Sequence, residues 1–304
     1  MRPAFLQAFP ARLPPGRPGD PGLFGPGSVA WRVNGEAVLL VAGPRALLMQ
    51  IAHPLVAAGV ARHSDFPAAA FERLGRTLEA TLAISFGDAE QARAAAASVT
   101  AVHRRVAGRT ASGVAYSALD PELLLWVWAT LVDSALVAHR RLVGGLSEGE
   151  EGRYVADMRS LALAMHTPAR VLPGDLSAFR GYVDRTLGGL EVTPDARRLA
   201  PAILTPPLPA ALLPLGALQR RITVGLLSEP LRRAYGLRWT RRRERAFDVT
   251  TTAIRAALRA TPPALRRLPQ ARQAERRAAS PAANQDESGT PGTFSTESQG
   301  HAEA

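Results

Sequence analysis

The chain has no cysteine. That excludes disulfides, thiolate-ligated iron, iron–sulfur clusters, zinc sites built on thiolates and cysteine nucleophiles. It has no lysine either: all 37 basic residues are arginine, set against 26 acids for a net charge of +11. An all-arginine cation set in an Ala-, Gly- and Pro-rich chain reads as compositional bias, so net charge alone does not identify a nucleic-acid binder. Alternating strand patterns are scarce and no internal repeat is visible. His-Glu-x-x-His and repeated Glu-x-x-His spacings are missing, which argues against zincins and ferritin-like di-iron sites. So are the Gly-x-Gly-x-x-Gly loop, the Walker loop and the Gly-x-Ser-x-Gly elbow. The N-terminal stretch carries Pro10, Pro14, Pro15, Pro18 and Pro21 and no apolar signal core. The longest apolar stretch, residues 37–60, is interrupted by Pro44, Arg45, Gln50 and His53, whereas a spanning helix needs ~20 apolar residues in a row. The expectation is a cytoplasmic protein without a transmembrane helix, with peripheral contact to an anionic membrane as its only membrane association.

What is present is enough for one large packed domain: 304 residues, 46% of them apolar. The charge is uneven. Residues 217–280 hold 16 Arg against four acids, so the rest of the chain is close to neutral. Such a segment is either a set of solvated helix faces or a contact for phosphate or an anionic membrane. Residues 202–218 are apolar but contain Pro206, Pro207, Pro209 and Pro214, so they cannot form one regular helix. They read as a core-covering loop or a shallow membrane contact.

Periodicity and punctuation predict an all-α chain. Residues 1–27 form a Pro/Gly-rich arm, 28–272 a single helical domain and 273–304, which lack apolar periodicity, a disordered tail. A helix beginning near Arg32 breaks at Gly43-Pro44, and the next meets Pro54 in its last turns. Phe66 to Phe86 reads as a helix. Asp88 with Gln91 forms a cap for the next, which runs to about Ala107. Asp120-Pro121-Glu122 opens another that reaches Val143. Ser147 with Glu150 caps a helix to Met165, and Asp175–Leu187, 215–227 and 243–260 complete the set.

Three features carry chemistry. The helix containing Leu123–Val137 is apolar on nearly every face, yet Asp133 sits in its middle; a buried carboxylate needs a partner, either an arginine or an imidazole N–H. Arg73, Arg76 and Thr77 share one helix face, where two guanidinium groups and a hydroxyl can orient an anion or bound oxygen, or simply meet solvent. Of six histidines (His53, His63, His103, His139, His166 and His301), His103 stands among Val99, Val102 and Val106 on what reads as an inward face. An inward imidazole is either a satisfied core residue or a metal ligand.

The segments "GPRALLMQIAHPLVAAGVARHSDF", "ERLGRT", "SFGDAE", "VHRRVAG" and "YSALDPELLLWVWATLVDS", then "LSEPLRRAYGLRWT" and "ALRRLP", follow one another in an order that resembles the MpaB/latex-clearing (rubber) oxygenase catalytic domain over roughly residues 32–268. The resemblance implies an all-helical fold with a globin-like core and a b-type haem. It also implies dioxygen as co-substrate and cleavage of carbon–carbon double bonds in polyisoprene or a terpenoid side chain.

By the same resemblance His103 aligns with the proximal haem ligand, and Arg73, Arg76 and Thr77 with an Arg-x-x-(Lys or Arg)-Thr group beside the haem. Arg76 stands where rubber oxygenases carry Lys, which removes any role for a neutral amine. His53-Pro54 matches a family signature without an assigned role. Trp128 stands where many relatives carry His, so that residue's role does not carry over. Arg73 or Arg104 would hold the propionates, Leu123–Val137 and the Val99–Val106 face would form the slot, and Asp133 would accept from His103. The lack of a signal peptide argues against polyisoprene itself. The expected activity is a haem-b oxygenase acting with dioxygen on an isoprenoid- or lipid-like molecule, with no specific nucleic-acid partner. A haem sensor without turnover, and a membrane or nucleic-acid interaction module using the Arg-rich helices, are the alternatives.

Overall fold

The computed structural model describes residues 13–63 and 70–281; from 70 to 77 it describes the backbone alone. Among the described residues there are fourteen α-helices and one small two-stranded sheet. The helices are α1 (Val29–Asn34), α2 (Gly43–Ala52), α3 (Pro54–His63), α4 (Ala70–Phe86) and α5 (Ala89–His103), then α6 (Pro121–Leu142), α7 (Glu148–Ala164), α8 (Leu176–Gly189), α9 (Pro194–Leu204) and α10 (Leu213–Leu226), then α11 (Glu229–Ala234), α12 (Arg241–Ala260), α13 (Pro263–Arg266) and α14 (Pro269–Ala279).

The caps explain where helices start. Asp88 accepts from the Gln91 N–H at 2.8 Å while the Gln91 side chain accepts from the Asp88 N–H, and Ser147 and Glu150 repeat the reciprocal pattern. In the second box, hydrogen bonds from Ser147 and the charge of Arg32 hold the Glu150 carboxyl at about 2. Pro121 occupies the first turn of α6, where its missing N–H costs nothing. Pro44 and Pro54 behave the same way: each lies in the first turn of a new helix, so Pro54 opens α3 instead of interrupting α2. The two segments meet at a 106° bend.

α6 is the axis of the main core. Trp126, Trp128, Val132, Leu136 and Leu142 are buried along it, against α2 on one side and α7, α8 and α12 on others. Each such large apolar side chain contributes about 1.5–3 kcal/mol of burial. This helix is long and apolar enough to cross a bilayer, but most of it lies inside the protein.

A second, smaller core gathers Leu13, Trp31, Leu82, Phe86, Leu268, Ala271 and Ala274. Here the N-terminal arm and the last helix close on the α4–α5 corner. Arg17 N–H donates to Asp88 and Ala89 N–H to Asp20; Arg277 donates to the carbonyls of Phe86 and Asp20, each at 2.9 Å. Gly22 has φ +73°, and a Cβ there would overlap the Gly87 carbonyl. The expectation of a disordered tail from Gln273 is corrected: α14 continues to Ala279, with Ala274 and Arg277 buried. Its apolar face is only alanine, so hydropathy does not reveal it. Two further elements run against the sequence reading. α5 ends at His103, short of the expected Ala107, and a hairpin that the sequence did not signal, β1 (Ala107–Arg109) and β2 (Ala115–Ser117), follows it and pairs Gly108 with Tyr116. α9 forms despite its internal Pro201.

Candidate functional site

α4 and α5 are joined only by Gly87 and Asp88 and pack along each other, which makes them an antiparallel hairpin. His103 is the last residue of α5, about fifteen residues past the turn, so the equivalent point on α4 is its first turns. Those turns carry Arg73, Arg76 and Thr77; their backbone is level with His103, and their side chains lie outside the described residues.

The inward face of α5 is only in part the expected valine wall. Its buried positions are Ala92, Ala96 and Thr100; Val99 and Val106 are half-buried, whereas Val102 is 49% exposed. His103 follows Thr100 by three residues, so it continues the buried alanine face at its open end. Its ring is half-buried. Its Nδ1 is buried without a hydrogen-bond partner among the described residues, and burial lowers its pKa, which leaves the imidazole neutral with a lone pair to offer.

His53 shares two of these properties. It caps the C-terminus of α2 at the bend before α3, its Nδ1 is buried and unpartnered among the described residues, and burial lowers its pKa against the opposing pull of Asp120. α3 then runs against the end of α5 and the hairpin. Gly59 is the point of approach, where a Cβ would stand 3.4 Å from Val106 Cγ1 and 3.6 Å from the Tyr116 ring. Tyr116 Oη lies 3.3 Å from His63 Nε2. One wall of the molecule therefore holds both the segment after His53 and the segment after His103.

Asp133 is placed elsewhere. Arg45, from α2, reaches its Oδ2 through Nη2 at 2.8 Å. The same guanidinium donates from Nη1 to Ser134 Oγ at 2.7 Å and from Nε to the Leu226 carbonyl at 2.8 Å. The arginine alternative for Asp133 is the one realised, and the His103–Asp133 hydrogen bond is overturned. The sequence carried no signal for Arg45 because the pair joins residues 88 positions apart through helix packing. Trp128 is likewise structural: its Nε1 donates to the Met158 carbonyl at 2.8 Å and its ring meets Phe179 edge-on at 5.6 Å. The segment Leu123–Val137 thus belongs to the main core. Arg104 is exposed at the C-cap of α5, beside His103. His139 is buried with Nδ1 2.7 Å from the Gly144 carbonyl, and His63 and His166 are exposed; His301 lies outside the described residues. Among the described residues no three His, Asp or Glu side chains converge as a metal site.

Comparison with known proteins bears on this arrangement. The family model described as "ER-bound oxygenase mpaB/B'/Rubber oxygenase, catalytic domain" matches residues 31–256. The chain is similar to the uncharacterized protein Rv2237 of Mycobacterium tuberculosis and to the uncharacterized protein Mb2261 of Mycobacterium bovis. Each is 29% identical over 225 residues, covering 71% of this chain and 87% of the relative. No solved structure matches the chain.

Proposed function

This chain belongs to the mpaB/rubber oxygenase catalytic-domain family, and we propose that it is a haem-dependent oxygenase that directs dioxygen at a hydrophobic, isoprenoid- or lipid-like molecule. The observation that carries the reading is the His103 imidazole, neutral and on the buried face of α5, with a buried ring nitrogen that no described residue satisfies. A haem asks the protein for one axial imidazole, an apolar wall and cations near its propionates. His103 meets the first requirement, and the half-buried Val99 and Val106 on its own face offer apolar surface for the second. Arg104, exposed beside it, offers a cation for the third, and the backbone of Arg73 is level with it on the facing helix. The residues therefore fit the group.

When bound, haem supplies the redox chemistry with dioxygen. The chain's part is to hold and orient. Burial keeps His103 unprotonated, so its lone pair is available across the neutral pH range. Asp133 is held by Arg45, so it does not draw the His103 proton, and with respect to that carboxylate the imidazole would hold the iron as a neutral ligand. Arg76 cannot deprotonate, which makes the Arg73–Arg76–Thr77 face an orienting group and not a base.

The test is spectroscopic. Haem-reconstituted protein should show a Soret band, and His103→Ala should abolish it while the far-ultraviolet circular dichroism stays helical. His53→Ala should retain the haem. Loss of the band in His53→Ala alone would transfer the ligand role to His53, and a wild-type protein that takes up no haem would remove the proposal. Oxygen uptake with an alkene substrate separates an oxygenase from a haem carrier.

A further inference from the structure

The Pro-rich connection and the Arg-rich segment, distinct in sequence, meet in one groove of about 870 Å³. It lies between the end of α9, the connection at 205–212, α10, and the loop leading into α12. Leu204, Leu208, Val224, Leu237 and Trp239 form an apolar floor. At Gly216 a Cβ would stand 2.7 Å from Leu208 Cδ1, so glycine there lets Leu208 lie across α10. Leu213 and Leu215, 57% and 58% exposed, extend the apolar surface along α10.

The rim is of opposite character: Arg220, Arg221, Arg238, Arg242 and Arg243 line the groove and no acid does. The side chains of Arg220, Arg221, Arg238 and Arg242 have no ion pair among the described residues. Folding does not call for this concentration. Arg241, Arg242 and Arg243 occupy the first turn of α12, where the helix dipole disfavours cations. The next residue, Glu244, instead accepts from Trp239 Nε1. Like charges crowd around an apolar floor at a helix start where Thr240 Oγ1 caps the Arg243 N–H and the Arg241 and Arg242 amides lack intrahelical partners. An anion bound there relieves the repulsion, and guanidinium groups take phosphate oxygens in pairs. The volume is that of a small-molecule site.

We propose that this groove binds an anionic amphiphile, with the apolar chain on the leucine–Trp239 floor and the phosphate head among the rim arginines at the start of α12. The proposal does not depend on haem, so its failure would leave the oxygenase reading intact.

Trp239 supplies the readout, because it is half-buried while Trp31, Trp126 and Trp128 are fully buried. Dodecyl phosphate, titrated as monomer, should change tryptophan emission saturably, and Trp239→Phe should abolish the signal. Dodecanol and inorganic phosphate should each bind at least tenfold more weakly. The double variant Arg220→Glu/Arg242→Glu should weaken dodecyl phosphate at least tenfold while its melting curve stays that of the wild type. Sedimentation with phosphatidylglycerol vesicles separates the sources. Vesicle binding that dodecyl phosphate competes away assigns the amphiphile to a bilayer; monomer binding without vesicle binding assigns it to a free lipid. Inorganic phosphate binding as tightly as dodecyl phosphate would overturn the proposal. So would unchanged affinity in the double variant, vesicle binding without monomer binding, or a DNA duplex that displaces dodecyl phosphate at lower concentration.

Discussion

Arg45 and Arg242 carry the same side chain in opposite circumstances. Arg45 is 5% exposed and spends all three guanidinium nitrogens on Asp133, Ser134 and the Leu226 carbonyl. Arg242 stands exposed at the groove with no described partner. Arg277 lies between them, donating from two nitrogens to the Phe86 and Asp20 carbonyls at the corner of the second core. A net charge of +11 sums all three and distinguishes none of them. What an arginine does here depends on the acceptors that the fold delivers to it: the interior ones organise the structure, and the groove ones remain available to a ligand.

The comparison breaks first at Arg45. Arg45→Ala strands Asp133 and two other acceptors, so unfolding free energy should drop by about 3 kcal/mol, read by urea denaturation. Arg45→Met with Asp133→Leu should recover most of that loss, since an apolar pair of similar volume replaces a buried ion pair without large cost. A single variant as stable as wild type would show that the pair is ornamental. Next comes Arg277→Ala, which leaves two carbonyls unsatisfied and should cost about 2 kcal/mol. The loss should show as a lower urea midpoint.

Arginine does not titrate near neutrality, so acid exposes the histidines separately. Burial lowers the pKa of His53, His103 and His139 in the folded chain. As pH falls below about 6.5, the unfolded chain binds protons first. Stability is therefore lost from pH 7 towards pH 5, at no more than about 1.4 kcal/mol per pH unit per histidine. His103→Gln should flatten that slope; an unchanged slope would mean that His103 is not buried neutral. The smallest effect belongs to the groove. Arg242→Glu places an acid in the first turn of α12 and should leave stability unchanged or raise it by about 0.5 kcal/mol. A loss above about 1 kcal/mol would make the rim structural and erase the contrast with Arg45.

Much of this was legible along the chain, and the boundary of legibility has a physical form. Helix starts were readable where the signal is local: Asp88 with Gln91, Ser147 with Glu150, and Asp120 before Pro121 each satisfy their own amides. The need of Asp133 for a partner was readable from its apolar surroundings, but Arg45 was not, because the contact is made by packing of α2 on α6. His103 was placed on an inward face with only part of its surroundings right: the close approach of α4 buries Ala92 and Ala96, while Val99 and Val106 are half-buried and Val102 is exposed. Small side chains also hid α14. The groove was invisible because its floor and rim come from four segments, and its arginines looked like any solvated run.

The corner closed by Arg277 has a consequence for how the protein is made. Leu13 and Gln273 exchange two hydrogen bonds, at 3.1 and 2.8 Å, across 260 positions of sequence. Synthesis proceeds from the N-terminus and structure forms as chain becomes available. The arm at 13–22 and the α4–α5 turn are therefore complete long before their last partner exists. During that interval the Phe86 carbonyl lacks the Arg277 donor and Trp31 lacks the Glu275 carboxylate that its indole N–H reaches at 3.2 Å. The main core can assemble on the ribosome, but the second core waits for α14, so emergence of that helix is the event that locks the arm at 13–22 in place.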